Sequence, residues 1–385
     1  MSEEKLLVIG AGPGGYTAAF LAADKGMKVT LVDTEAKPGG VCLHRGCIPS
    51  KTLLHLAKLI HETREAKAWG LDFGEPRIDL ESVRKWKSQV TEKMASGLLH
   101  LCKQRGVRLV TGRAVFEDSN TVVVGDEKLF FDHCILATGS RPDIPDGLTG
   151  IGDRIMDSAA ALDMENIPDR LLVVGGGYIG LEMGTVYAAL GSRVTVVEML
   201  DGLLPGVDRD LVRPLQARLK NDFEAILLNT RVGSAVAGDS GIRVTLNAEG
   251  DVKEETYDRA LISVGRVPNS NGIGLEKTRA ELDDRGFVRV DKQMKSSDPA
   301  ILAIGDVVGG ALLAHKASHE GKIAVEVIAG EQASFDSSTI PAMVFTDPEI
   351  AWCGLSENEA RSSGVEVSVA KFPWAASGRA QTLGR

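Results

Sequence analysis

The chain has 385 residues, of which 43% are hydrophobic and 25% charged, and its formal net charge is −9. That length buries two or three cores of ordinary domain size, while the acidic balance and the lack of a basic run argue against nucleic acid or an anionic membrane as main partner. No apolar stretch approaches the roughly 18 residues of a spanning helix, and the acidic start shows no leader pattern, so a soluble, cytoplasmic protein is expected.

Residues 6–9 predict a short apolar strand. Gly10, Gly12 and Gly15 follow in a G-x-G-x-x-G turn, then a helical run over 16–25 and a second strand over 28–32 that ends in Asp33. Strand, glycine turn, helix, strand and acid come in the order of a dinucleotide-binding unit. The glycines serve a tight turn, close backbone approach to a pyrophosphate and helix–strand packing. The helix N-terminus faces the phosphates, and the acid accepts the ribose hydroxyls.

The stretch 39–51 reads Gly-Gly-Val-Cys-Leu-His-Arg-Gly-Cys-Ile-Pro-Ser-Lys. Cys42 and Cys47, five positions apart, are near enough to close a small disulfide loop, with Gly46 supplying backbone freedom beside the second. Pro49 suits a first helical turn, and Leu53, Leu54, Ala57 and Ile60 continue at helical spacing. Cys47 then begins a helix, where the dipole favours its nucleophilic thiolate. Taken alone, the pair also fits a structural disulfide or two unrelated core thiols. Cys102, Cys134 and Cys353 lie in apolar or half-apolar surroundings and read as small core residues.

A strand over 134–137 ends in Thr138-Gly139. The dinucleotide pattern then recurs: strand 171–174, Gly175, Gly177 and Gly180, helix 181–190, and strand 193–197 ending in Glu198. Gly10 to Gly175 and Asp33 to Glu198 are both 165 positions apart. Two full copies with matched acids predict two bound dinucleotides. Glu198 would repel a 2′-phosphate, so the second site is expected to prefer NAD over NADP. Arg193 opens its strand and reads as a solvated residue. Strand 300–304 delivers Gly305-Asp306 at its carboxyl end, where ligands bind in open α/β sheets.

Together these residues resemble the pyridine nucleotide–disulfide oxidoreductases, with motifs running nearly the whole chain. Besides the segments above they include Pro38-Gly39-Gly40, Val264-Gly265-Arg266-Val267-Pro268-Asn269 and Phe345-Thr-Asp-Pro-Glu349. The strings at 47–55 and 372–380 look most like the family's lipoamide branch; glutathione-type members favour a basic residue where this chain has Glu198. The resemblance implies FAD in the first unit, held by Gly10, Gly12, Gly15, Asp33, Lys51, Thr138, Gly139, Gly305 and Asp306. It implies NAD in the second, held by Gly175, Gly177, Gly180, Glu198 and Gly265. Cys42 becomes the interchange thiol facing substrate and Cys47 the thiolate against the flavin. Lys51, one helical turn after Cys47 and on the same face, would pair with Glu182 near the flavin's reactive nitrogen, and Tyr178 would cover the nicotinamide pocket. The implied reaction is oxidation of protein-bound dihydrolipoamide to lipoamide with reduction of NAD. The implied partners are the lipoyl-bearing acyltransferases of 2-oxo acid dehydrogenase complexes and a second copy of the chain.

The implied fold is α/β, with two Rossmann-like dinucleotide-binding domains and a partial α+β interface domain. The expected division is an FAD-binding part at 1–147, an NAD-binding domain at 148–270, a central region at 271–340 completing the FAD domain, and an interface domain from 341 to 385. That last segment predicts a strand over 342–346 and a helix over 356–363. The family's base is a histidine in a His-Pro motif near the C-terminus, and the seven histidines, at 44, 55, 61, 100, 133, 315 and 319, include no such motif. The expectation is that the chain stops within the interface domain and that the base lies outside these residues. His44, inside the loop, is not read as that base. His315 and His319 lack a third ligand and read as flavin-side or core residues rather than as a metal site. Two other readings remain open at this point. One is another disulfide reductase of the family, glutathione-type or mercuric; Glu198 weighs against it, and for mercury so does the lack of an N-terminal metal-binding domain. The other is an FAD- and NAD-binding fragment without full turnover.

Overall fold

The structure, a computed structural model, describes residues 4–149, 151–248, 250–336 and 340–384. Two five-stranded parallel sheets form its frame. In the first, the order is Ile301–Ala303, His133–Leu136, Lys5–Ile9, Lys28–Asp33 and Arg108–Thr111. In the second it is Ala225–Leu227, Arg193–Val197, Arg170–Val174, Arg259–Ile262 and Ile155–Met156. The central strands are short β-branched and leucine runs buried on both faces, as parallel sheets require: Val8, Leu31, Val173 and Val196 are wholly buried. Ile301–Ala303 joins the first sheet from far along the chain, which carries the Gly305-Asp306 turn back to the Gly10 turn.

Glycine and alanine let helices close over these sheets. Pro13–Asp24 packs on Ala314–Ile328 so tightly that a Cβ on Gly321 would sit 2.7 Å from the Gly14 carbonyl oxygen. Each unit also carries a three-stranded antiparallel layer, 114–130 in the first and 230–257 in the second. The helix Leu80–Gln104, capped by the Asp79 carboxylate at the Glu81 and Ser82 amides, has no counterpart in the sequence reading.

One packing contact positions the chemistry. The helix Cys47–Glu65 buries Leu53, Leu54 and Ala57 in the same core as Leu181, Met183 and Val186 of the second unit's helix Tyr178–Ala189. Val344 and Ile350 of the C-terminal segment close that core. Truncating Leu53, which is fully buried, to alanine would cost about 2–5 kcal/mol and loosen the seam between the units. The strand Ala342–Val344 and helix Glu357–Ser362 form near their expected places, the helix closed by a Ser356–Glu359 capping box.

Candidate functional site

A cavity of about 620 Å³ lies where the two units meet. Its walls combine the Gly10–Gly14 turn, Asp33, both loop cysteines and Lys51 with Thr138-Gly139 and Gly305-Asp306. The second unit contributes Tyr178 and Glu182 from the start of its helix. Of the residues singled out in sequence, those expected at the flavin come together here, apart from the packing residue Gly15.

The two glycine turns are copies in atomic detail. Gly10 has φ +102° and Gly175 +109°, conformations strained for any other residue. A Cβ on Gly10 would sit 2.2 Å from the Ala137 carbonyl oxygen, and one on Gly175 2.5 Å from that of Ser263. The third glycines are closer still: a Cβ on Gly15 or Gly180 would meet the Gly10 or Gly175 oxygen at 1.8 and 2.3 Å. The acids are held alike. Ala11 and Glu35 donate backbone N–H groups to the Asp33 carboxylate at 2.6 and 2.9 Å; Gly176 and Leu200 donate to Glu198 at 2.7 and 2.8 Å. Each of these residues is 165 positions from its counterpart. Gly12 and Gly177 begin helices with no side-chain cap and no acid in the first turn, leaving the N-terminal amides free for an anion. Gly175, Gly177 and Gly180 of the second unit's turn lie outside the cavity wall, as do Glu198 after the strand Arg193–Val197 and Gly265 after the strand Arg259–Ile262. Glu198 is buried at 6% exposure.

Cys47 is the first residue of its helix, as its sequence context predicts. Beside its backbone freedom Gly46 gives room: a Cβ would lie 2.8 Å from the Val41 carbonyl oxygen, so the short helix Gly40–Arg45 can pass close. Cys42 and Cys47 lie side by side in the cavity wall, here in the dithiol form of the expected redox pair. Donation from Cys42, aided by the Lys51 charge and opposed by burial, lowers Cys47 to about 7. The same hydrogen bond, with burial, pushes Cys42 far up. The pair is therefore polarised, Cys47 being the sulfur that ionises first.

Lys51 Nζ lies 2.8 Å from Glu182 Oε2. The other Glu182 oxygen accepts the Phe345 backbone N–H at 3.0 Å, and the Phe345 ring lies 4.6 Å from Lys51 Nζ. Across the cavity, Ser140 Oγ donates to Asp306 at 2.5 Å and receives Arg266 Nε at 2.7 Å. Behind that turn, buried Glu320 accepts the Gly305 amide at 2.7 Å and pairs with Lys316 at 2.8 Å. Burial raises the Glu320 carboxyl even against Lys316. The sequence reading singled out none of Phe345, Ser140, Arg266, Lys316 and Glu320 for the site, since each gains its place through contacts distant along the chain.

The expected settings of Cys353, His315 and His319 are corrected, while His44 and Arg193 lie as their sequence context suggested. Cys353 is exposed rather than in a core, although Cys102 and Cys134 are buried. His315 and His319 are both exposed: His315 Nε2 lies 2.6 Å from the Pro341 oxygen, and His319 stacks near Phe335 at 5.6 Å. His44 Nε2 is 3.2 Å from the Lys37 oxygen, and His44 is not part of the cavity wall. Arg193 is exposed and paired with Asp169.

The residues present fit two dinucleotides. Both helix N-termini offer free amides, and both flanking glycines leave room for backbone approach. Thr138 Oγ1, in the cavity wall, is buried with no hydrogen-bond partner, the condition of a polar atom awaiting a ligand.

Comparison with known proteins gives the same direction. A family model described as pyridine nucleotide-disulphide oxidoreductase matches residues 4–321, and its dimerisation domain matches 340–385. The chain is 47% identical to a dihydrolipoyl dehydrogenase of Haemophilus influenzae, covering 99% of this chain and 81% of that one. It is 45% identical to one of Vibrio cholerae, covering 99% and 82%. Among solved structures, LpdA of Mycobacterium tuberculosis superposes with a TM-score of 0.89 at 28% identity, over 98% of this chain and 84% of that one. The HOCl-induced flavoprotein disulfide reductase RclA of Escherichia coli does so at 0.86 and 27%, with the same coverage.

Proposed function

Since the chain belongs to the pyridine nucleotide-disulphide oxidoreductase family, we propose that its Cys42–Cys47 pair oxidises a protein-bound dihydrolipoyl group to lipoamide while NAD is reduced to NADH. The enzyme is an oxidoreductase with FAD and NAD as cofactors. When bound, FAD takes an electron pair from thiols and yields it to NAD as hydride. The observation that supports the reading best is the polarised thiol pair at a helix start, beside the Lys51–Glu182 ion pair, in the wall of the cavity that the Gly10 turn also lines.

In the oxidised pair, a substrate thiolate attacks the Cys42 sulfur. The Cys42–Cys47 bond breaks, a mixed disulfide forms, and Cys47 leaves as thiolate. The second substrate thiolate then attacks the substrate sulfur held in that mixed disulfide, closing the lipoamide ring and freeing Cys42 as thiolate. Of the substrate's two thiol protons one is taken up by Cys42 and the other passes to solvent, and the substrate's electron pair now resides on the two cysteines. The Cys42 hydrogen bond and the Lys51 charge favour ionisation of Cys47.

For the cofactors, the amides beginning the helix Pro13–Asp24 would hold the FAD pyrophosphate, with Gly10, Gly12 and Gly15 making the turn and Asp33 receiving ribose hydroxyls. Thr138, Gly139, Lys51, Gly305 and Asp306 would complete that site. Gly175, Gly177, Gly180, Gly265 and Glu198 would do the same for NAD. We divide the chain at 1–147, 148–270, 271–340 and 341–385, the last serving self-association into a homodimer. The lipoyl-bearing acyltransferase of a 2-oxo acid dehydrogenase complex is the proposed partner, and the cytoplasm, which keeps thiols reducible, the proposed location. Among the described residues no helix is long and apolar enough to cross a membrane.

NADH formation from NAD and a dihydrolipoyl domain tests the reading. It predicts turnover that Cys42→Ser and Cys47→Ser each abolish. Turnover of glutathione disulfide without turnover of the dihydrolipoyl domain would overturn it.

A further inference from the structure

Phe345 lies in the C-terminal segment, yet it touches both members of an ion pair formed by the two dinucleotide units. Its backbone N–H donates to Glu182 Oε1 at 3.0 Å, and its ring lies 4.6 Å from Lys51 Nζ. Phe345 is not part of the cavity wall, so it stands behind the pair rather than at the reacting atoms. Its neighbours Val344 and Ile350 are buried in the core shared by the helices of Lys51 and Glu182, which leaves little freedom to the backbone between them.

The two contacts act in one direction. Lys51 favours the Cys47 thiolate and Glu182 disfavours it. An amide donor on the far Glu182 oxygen offsets part of that negative charge. The ring, whose face attracts a cation, restricts an ammonium whose side chain is otherwise 30% exposed. Both raise the net positive field at Cys47.

We propose that Phe345 is a positioning residue for the redox pair, through which the C-terminal segment fixes the Lys51–Glu182 ion pair and sets the field at Cys47. The inference rests on the reading of Cys47 as the thiolate that faces the flavin. It makes the match between this segment and the rest of the chain part of the chemistry as well as of assembly.

The test is the pH dependence of the thiolate–flavin charge-transfer absorbance in the flavin-loaded chain, reduced by two electrons without oxygen. Phe345→Leu should move the midpoint upward by about half a pH unit, the size of one partly exposed cation–π contact. Phe345→Tyr should restore it. In a Lys51→Met background, Phe345→Leu should add no further shift. Should the leucine variant lose flavin, Phe345→Met replaces it, with the same expected shift. A parental midpoint in Phe345→Leu, or a shift that persists without Lys51, overturns the proposal alone. Absence of the band from the flavin-loaded parent overturns the thiolate reading and this proposal with it.

Discussion

Lys51 Nζ and Glu182 Oε2, 131 positions apart in sequence, meet at 2.8 Å and tie the helix that begins at Cys47 to the second unit's helix. Glu182 is nearly buried, its side chain 4% exposed, while Lys51 keeps 30%. Lys51→Met therefore leaves a buried carboxylate unpaired. A fully buried pair would lose about 3–5 kcal/mol; with Lys51 partly solvated, about 1–2 kcal/mol is expected. Because Lys51 lowers Cys47 and Glu182 raises it, Lys51→Met should move the thiolate midpoint up and Glu182→Gln should move it down. Urea unfolding and thiolate ultraviolet absorbance against pH check the two parts.

Cys47, lowered to about 7, is expected to react with iodoacetamide in the reduced enzyme with a midpoint near pH 7. Cys42→Ala removes the largest cause of the lowering, so the midpoint should rise toward the ordinary thiol range. Linkage has the same sign. A depressed folded-state value contributes stability that is present above the unfolded thiol's value and is lost as pH falls through about 7. Alkylation rates across pH 5–9, about two pH units either side of the expected midpoint, read the ionisation of Cys47 directly.

On the proposed assignment the duplicated turns serve different cofactors. Gly10→Ala places a Cβ 2.2 Å from the Ala137 oxygen at φ +102°, and the purified chain should lose flavin absorbance. Gly175→Ala meets the Ser263 oxygen at 2.5 Å and φ +109°. It should keep flavin while NADH binding, followed by nucleotide fluorescence, weakens.

We propose that Glu198 sets the nucleotide preference. Glu198→Val deletes a charged acceptor for the ribose hydroxyls and the repulsion of a 2′-phosphate. The ratio of kcat/KM for NAD over NADP should fall about 10- to 100-fold, the size of one or two hydrogen bonds to a charged group. Steady-state kinetics with both nucleotides gives the ratio.

What was legible in sequence is what is fixed locally. A G-x-G-x-x-G turn is dictated by backbone clashes within a few residues and between neighbouring strands, so its two copies, their acids and the Cys47 helix start could be read one segment at a time. Sequence pattern also suggested Lys51 and Glu182, but only through family resemblance. Ser140, Arg266, Glu320 and Phe345 were not legible in their roles, because a serine, an arginine, a glutamate and a phenylalanine are ordinary until the fold brings them to Asp306, Gly305 and Glu182. The crowding of Gly46 by Val41 was not legible either, since it depends on how the short helix returns. Cys353, His315 and His319 were misjudged because apolar neighbours in sequence do not fix which face of a segment is covered.

The central claim is that Cys47 is the thiolate through which substrate electrons reach the bound flavin. The most direct measurement is anaerobic addition of NADH to the flavin-loaded chain and to its Cys47→Ser variant. The account predicts a long-wavelength thiolate–flavin charge-transfer band in the parent and none in the variant, with flavin retained in both. A band of equal strength in Cys47→Ser would contradict it.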